Sequence, residues 1–240
     1  KENYEMRLEN KTAVVTGAAS GLGKAIVEKF LEEGSKVIIV DINEDAGREL
    51  SENLGPRTLA VSADVGDANS IENLKKSITE SFKTVDIVVN NAGVTHLPTP
   101  LDEVTEEDFD RVFRVNCKSV YLMAKAFVPN MKSQGSGSIL NIASTAGVSP
   151  RPNLNWYNSS KGWMNTATRT MAVELAPFGV RVNAVNPVAS ETPLLASFMG
   201  EDTPEIRQKF LSTIPLGRFA QPEDIANAAC YLSSDEASMV

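Results

Sequence analysis

Thr12-Ala13-Val14-Val15-Thr16 runs straight into Gly17-Ala18-Ala19-Ser20-Gly21-Leu22-Gly23, and apolar residues then recur at Ile26, Val27, Phe30 and Leu31. A β-branched run, a glycine cluster and a helical period read as strand, turn, helix. Glycines let the backbone turn sharply and approach a pyrophosphate, whose charge is met by amide N–H groups and the positive end of the helix. The spacing is G-x-x-x-G-x-G rather than G-x-G-x-x-G, and a glycine cluster by itself is more often a plain turn. The next element adds weight. Lys36 to Val40 reads as a second buried strand and ends at Asp41, eighteen residues after Gly23. An acid there suits the ribose hydroxyls of an adenosine, although a helix N-cap or turn carboxylate would occupy the same position.

Outward from this unit the pattern repeats. Helix is expected around Glu44 to Asn53, strand at Thr58 to Ser62 with Ala63-Asp64-Val65 at its end, and helix at Asn69 to Phe82. Strand follows at Val85 to Val89, running into Asn90-Asn91-Ala92-Gly93. Strands alternating with helices imply a doubly wound α/β fold, a parallel sheet covered on both faces. A helix opens at Thr105 and carries Val112, Val115, Val120, Met123 and Phe127 to about Met131. Asn116 lies within it, a poor helix former that is either a surface accident or has work inside. Strands at Ser138 to Ile142 and Val180 to Val185 flank a helix ended by Pro177-Phe178-Gly179. The stretch Val188 to Gly217, a lid or binding loop by its length, precedes a last helix at Pro222 to Ser233. One domain over residues 1–240 is expected.

Composition narrows the function. A net charge of −8 and no local Lys/Arg cluster oppose nucleic-acid binding. No apolar run reaches the roughly 18 residues of a membrane span, and Lys1 to Asn10 is polar rather than leader-like. A cytoplasmic protein is the simplest expectation. Cys117 and Cys230 form no C-x-x-C, so neither a metal nor a disulfide framework is expected.

The chemistry gathers on Tyr157 and Lys161. Four residues apart on a helix, they share a face, and a neighbouring ammonium should draw the phenol down from about 10 towards working pH. That would make Tyr157 a general acid/base. The spacing alone is weak evidence, but Ser144 lies thirteen residues upstream at the end of a strand, and the nucleotide loop opens the chain.

Together these residues resemble the short-chain dehydrogenase/reductase family over essentially the whole chain. T-G-x-x-x-G-x-G at Thr16 to Gly23, N-N-A-G at Asn90 to Gly93, Asn116, Ser144 and Y-x-x-x-K at Tyr157 to Lys161 stand in the family's order. The resemblance implies a Rossmann-like sheet of about seven strands and an NAD-dependent oxidoreductase interconverting a secondary alcohol and a ketone. Tyr157 would move the proton. Lys161 would lower its pKa and hold the nicotinamide ribose, Ser144 would bond the substrate oxygen, and Asn116 would hold a water linking Lys161 to solvent. Ser20, Leu22 and Gly23 would bind pyrophosphate, Asp41 the adenosine ribose, Asp64 and Val65 the adenine, Asn91 and Gly93 the ribose region, and Thr192 the carboxamide. Gly17, Gly21, Ala92, Pro187 and Ser190 complete the expected cofactor set. A homotetramer is implied, with the helices at Thr105 to Met131 and Asn155 to Ala176 available for pairing.

Two departures stand out. Val188 follows Asn186-Pro187 where the family usually has Gly, and a β-branched residue resists positive φ. The family pattern also continues into a threonine-glycine turn and a seventh strand after the position of Val240. The substrate pocket is expected from His96 and its neighbours, Ala146 to Asn153 and the lid, with His96 itself on the pocket rim or the surface. Alternatives are a 3-oxoacyl-carrier-protein reductase and a non-catalytic nucleotide-binding protein on the same fold.

Overall fold

Thr12–Thr16, buried at every position, forms β1 near the centre of a parallel sheet. The computed structural model describes residues 6–240. Around β1 stand β2 (Lys36–Asp41), β3 (Thr58–Ser62), β4 (Ile87–Asn90), β5 (Gly137–Ile142) and β6 (Val180–Val185), in the order β3-β2-β1-β4-β5-β6. The described residues thus hold six strands, all parallel, against the seven expected.

Burial on both faces explains the unbroken apolar strands. Alternate residues go to opposite sides: Ala13, Val15, Val37 and Ile39 join a core with α1 (Gly21–Glu32) and α9 (Pro222–Ser233). Val14, Ile38 and Val40 join a second core with α3 (Ala68–Ser81) and α5 (Ser119–Gln134). Leu175, from α6 (Asn155–Leu175), packs into that second core. The remaining helices are α2 (Glu44–Leu54), α4 (Glu106–Phe113), α7 (Leu195–Met199) and α8 (Pro204–Leu211).

The strand order reverses between β1 and β4. Chains leaving these two strands diverge to opposite faces and open a crevice at their carboxyl ends, where ligands of such sheets bind. The stretch 188–217, expected as a lid or binding loop, packs around a separate small core of Leu195, Met199, Ile214 and Phe219.

One helix departs from expectation. Between α4 and α5 the chain makes a π turn, Arg114–Lys118. Asn116 lies fully buried on the inner side, while Val115, expected on the core stripe, is only partly buried. Val188 makes its turn without left-handed backbone: Asn10 and Asn153 are the described non-glycine residues with positive φ. The strain anticipated there does not arise.

Candidate active site

At the mouth of the crevice the glycine loop is tied down by its neighbours. Asn91 donates from Nδ2 to the carbonyls of Thr16 and Gly17, both at 2.9 Å. Thr16 Oγ1 accepts from the amides of Asn91 and Ala92, both at 3.1 Å. A β-carbon on Gly23 would stand 2.1 Å from the Gly17 carbonyl oxygen, so only glycine lets the loop fold against the start of α1. Ser20 caps α1 without a side-chain bond, and no acid stands in the first turn. The amides at the positive end of this helix therefore remain free to receive an anion.

Asp41 ends β2 beside this loop. One carboxylate oxygen accepts from the Ala19 amide at 2.9 Å and the other from the Asn43 amide at 3.0 Å. The N-cap of α2 is Asn43, bonded to the Ala46 amide. Asp41 is therefore no cap: it braces two turns while lining the cavity.

That cavity, of about 410 Å³, gathers Gly17, Ser20, Gly21, Leu22, Asp41, Asn91, Ala92 and Gly93 at one end. Ser144, Tyr157 and Lys161 line it further along, with Pro187 after β6 and Ser190 and Thr192 from the stretch 188–217. Gly23, Asp64, Val65 and Asn116 do not line it. Asp64 is committed elsewhere, accepting from Arg114 Nη1 at 2.6 Å and from the Gly66 amide at 2.8 Å. Burial penalises its charge, but Arg114 and Gly66 outweigh that and hold the carboxyl below its usual range.

Tyr157 and Lys161 face one another from successive turns of α6, with the ammonium nitrogen 5.9 Å from the phenol ring centre. Both are buried. Their electrostatics run opposite to the sequence expectation: burial pushes the Tyr157 phenol up to about 12, against a downward pull from its hydrogen bond with Ser144. Burial also brings Lys161 down to about 8, with Cys117 acting weakly the other way. A dry site disfavours each charged form, and at this separation the ammonium does not reverse it. Lys161 Nζ donates to the Ile142 carbonyl at 2.9 Å, which fixes it beneath the strand that delivers Ser144.

Asn116 is bonded on all sides. Its Nδ2 donates to Val94 O and Ser160 Oγ, and its Oδ1 accepts from the Val94 amide, each at 2.9 Å. A β-carbon on Gly93 would sit 3.4 Å from Lys161 Nζ and 3.5 Å from Asn116 Oδ1. Both polar atoms thus border the small space that Gly93 leaves open.

His96 is misplaced by the sequence reading. It is 1% exposed, its Nδ1 shares a hydrogen bond with the Leu97 carbonyl at 2.7 Å, and it lies neither on the surface nor on the cavity wall. Packing claimed a residue whose sequence neighbours suggested a rim. Among residues not anticipated, Leu154 and Asn158 line the cavity. Asn158 Nδ2 holds the Arg151 carbonyl at 2.7 Å, and its place beside Tyr157 was the one available signal.

Known proteins match this chain over most of its length. The family described as enoyl-(acyl-carrier-protein) reductase matches residues 17–240. A 4-formylbenzenesulfonate dehydrogenase of Comamonas testosteroni is 45% identical over 98% of this chain and 95% of its own length. A 3-oxoacyl-[acyl-carrier-protein] reductase of Thermotoga maritima is 40% identical, with 98% and 95% covered. The crystal structure of a 3-ketoacyl-(acyl-carrier-protein) reductase from Brucella melitensis, complexed with NADH, superposes with a TM-score of 0.92 at 43% identity, covering 97% of this chain and 94% of that one.

Proposed function

The chain belongs to the short-chain dehydrogenase/reductase family of nicotinamide-dependent oxidoreductases, and from that premise we propose that it interconverts a secondary alcohol and a ketone with NAD(H). The observation that carries this reading is the meeting of Ser144, Tyr157 and Lys161 in one cavity with the glycine loop and Asp41. The nicotinamide nucleotide, when bound, supplies or accepts the hydride. Gly17, Ser20, Gly21, Leu22, Asp41, Asn91, Ala92, Gly93, Pro187, Ser190 and Thr192 line the cavity and are the residues that would hold it. Closeness of backbone to ligand at a glycine loop and free helix amides suit a pyrophosphate.

The chain's own residues handle the proton. Tyr157, protonated across neutral pH at about 12, donates from Oη to the oxygen of a ketone, and Ser144 Oγ donates to the same oxygen. Alcohol oxidation needs the phenolate instead. There Lys161 must hold its charge beside the phenol, and Asn116 would hold the water that returns protons from Lys161 to solvent.

NAD(H) is favoured over NADP(H) by Asp41 and Ser20. The 2′-phosphate of NADP would bring about two negative charges against Asp41, and like charges at about 4 Å cost roughly 4 kcal/mol at an effective dielectric near 20, on the order of a thousandfold in affinity. Ser20 offers no cation in compensation. We expect kcat/KM to favour NADH in the parent, the preference to narrow in Asp41→Ala, and Asp41→Ala with Ser20→Arg to lean towards NADPH. Equal use of both nucleotides by the parent would refute the role of Asp41. Reduction of a 3-oxoacyl thioester is the second reading, favoured by the two relatives named for that substrate; such a thioester beside simple ketones in the assay separates the two.

A homotetramer is supported by uncovered apolar side chains on and just after the α5 and α6 helices, among them Tyr121, Trp163, Phe178 and Val173, the last 79% exposed. Sedimentation of a 26 kDa species at micromolar concentration would contradict it. Two buried free thiols, Cys117 and Cys230, suit a reducing compartment such as the cytoplasm.

A further inference from the structure

We propose that Arg151 is a specificity-determining residue that binds a carboxylate or sulfonate on the substrate, at the end remote from the reacting carbon. The proposal rests on the oxidoreductase reading and names the substrate class for the same cavity.

The chain is acidic, with 31 Asp and Glu against 23 Lys and Arg. Arg7, Arg48, Arg111, Arg114, Arg207 and Arg218 each form an ion pair, and of the arginines that form none among the described residues, Arg57, Arg151, Arg169 and Arg181, Arg151 alone lines the cavity. Arg151 lines the cavity and pairs with no carboxylate among the described residues. Its Nη2 donates to Thr213 Oγ1 at 2.7 Å, and its guanidinium carbon stands 4.5 Å from the centre of the Phe210 ring. The plane is thus braced from the lid by a hydroxyl and an aromatic face, while most of its five N–H donors stay uncommitted. A fork so held suits an oxyanion in two-point contact.

Its position selects the substrate rather than the nucleotide. Arg151 lies in the loop between β5 and α6, and β5 is three strands from β2 and Asp41 in the sheet order, a strand separation of roughly 14 Å at the usual spacing. Its carbonyl is tied to Asn158, next to Tyr157. Asp41 is the one acid lining the cavity and lies at the far end. Between Tyr157 and Arg151 the wall is aromatic: the Phe198 ring centre is 5.0 Å from that of Tyr157, and Phe210 backs Arg151. A flat or acyl body fits between, with its carbonyl at Ser144 and Tyr157 and its anion at Arg151.

The test compares 4-acetylbenzoate with its uncharged analogue 4-acetylbenzamide, in the presence of NADH, for the parent, Arg151→Gln and Arg151→Lys. The parent should favour the anion by about tenfold in kcat/KM, the scale of a hydrogen bond to a charged group. In Arg151→Gln the ratio should collapse to within about threefold, through KM for the anion, and Arg151→Lys should restore part of it as a point charge. Equal use of both ketones by the parent, or an undiminished ratio in Arg151→Gln, overturns the inference. Calorimetric titration of 4-acetylbenzoate into the NADH-loaded protein gives a second readout. Binding about tenfold tighter in the parent than in Arg151→Gln supports the role even without turnover; equal or undetectable binding removes it. Absence of turnover with every ketone counts against the alcohol/ketone reading, not against Arg151.

Discussion

The glycine-loop end of the cavity is held by tight backbone packing and the opposite end is walled by side chains. At the first, Gly23 packs so closely on the Gly17 carbonyl that a methyl group cannot enter, and Thr16 and Asn91 stitch β1 to the loop after β4. At the second, Phe198, Phe210 and Arg151 stand on or against a lid with its own small core. Arg207, paired with Glu191 and Asp202, helps hold that lid together. A shared cofactor demands fixed amides, which only main chain packed into the sheet provides. A substrate demands shape, which side chains on a semi-independent platform can change without disturbing the sheet.

The most severe test of this division removes the atom at its boundary. Tyr157→Phe should lower turnover at least about a thousandfold, as expected for loss of a general acid together with an oxyanion donor, while NADH titration by fluorescence changes by less than threefold. Turnover within tenfold of the parent would dissolve the boundary. Next in size, Gly23→Ala should cost about 3 kcal/mol of stability through overpacking against rigid backbone, and it should weaken NADH at least tenfold. Phe210→Ala should cost under about 1.5 kcal/mol, since this partly buried ring belongs to the lid's own small cluster, and should act on the substrate KM. Urea denaturation of both variants decides the matter. Equal losses would mean that the lid and sheet are one unit.

The smallest effect is a gain. Lys161 titrates at about 8 in the fold against 10.5 ordinarily, so the folded protein carries a buried ammonium at a cost of about 3 kcal/mol. The cost is full below pH 8, shrinks as pH rises and is gone above 10.5. Lys161→Met should therefore stabilise the protein by about 2 kcal/mol at pH 7, after about 1 kcal/mol for the hydrogen bond lost at Ile142, while abolishing turnover. At pH 10 most of that advantage should vanish. A variant less stable than the parent at pH 7 would show that Lys161 belongs to the packing of α6 rather than to the chemistry alone.

The strands and the glycine loop were readable because burial on both faces leaves unbroken β-branched runs, and because close backbone contact admits glycine alone. Tyr157, Lys161 and Ser144 were readable as neighbours, since helical spacing and strand ends are local rules. Their protonation was not. Spacing says which groups meet but not how dry the meeting place is, and dryness set the direction of both shifts. Asn116 announced itself as a poor helix former, yet the π turn beneath it has no residue signature. His96 was drawn towards the rim by its neighbours in sequence and buried by its neighbours in space. Arg151, between two prolines, lay within the stretch 146–153 expected to line the substrate pocket, but nothing in the sequence showed that Phe210 and Thr213 would meet it.

The π turn at Arg114–Lys118 also constrains how this chain can change length. Along α4, the turn and α5, fully or nearly fully buried residues fall at 112, 116, 120, 123, 127 and 131, a stride slightly longer than an α-helix allows over so many turns. The wide turn holds one residue more than a regular coil would. Deleting one residue between Arg114 and Lys118 would heal the coil into an uninterrupted α-helix whose buried stride falls to the regular 3.6 residues, so Met123 and Phe127 would keep their face. A deletion elsewhere along the rod would instead swing everything after the cut by about 100° about the axis. The wide turn is thus a place where the rod can lose a residue at the expense of the site, by displacing Asn116, and not of the core.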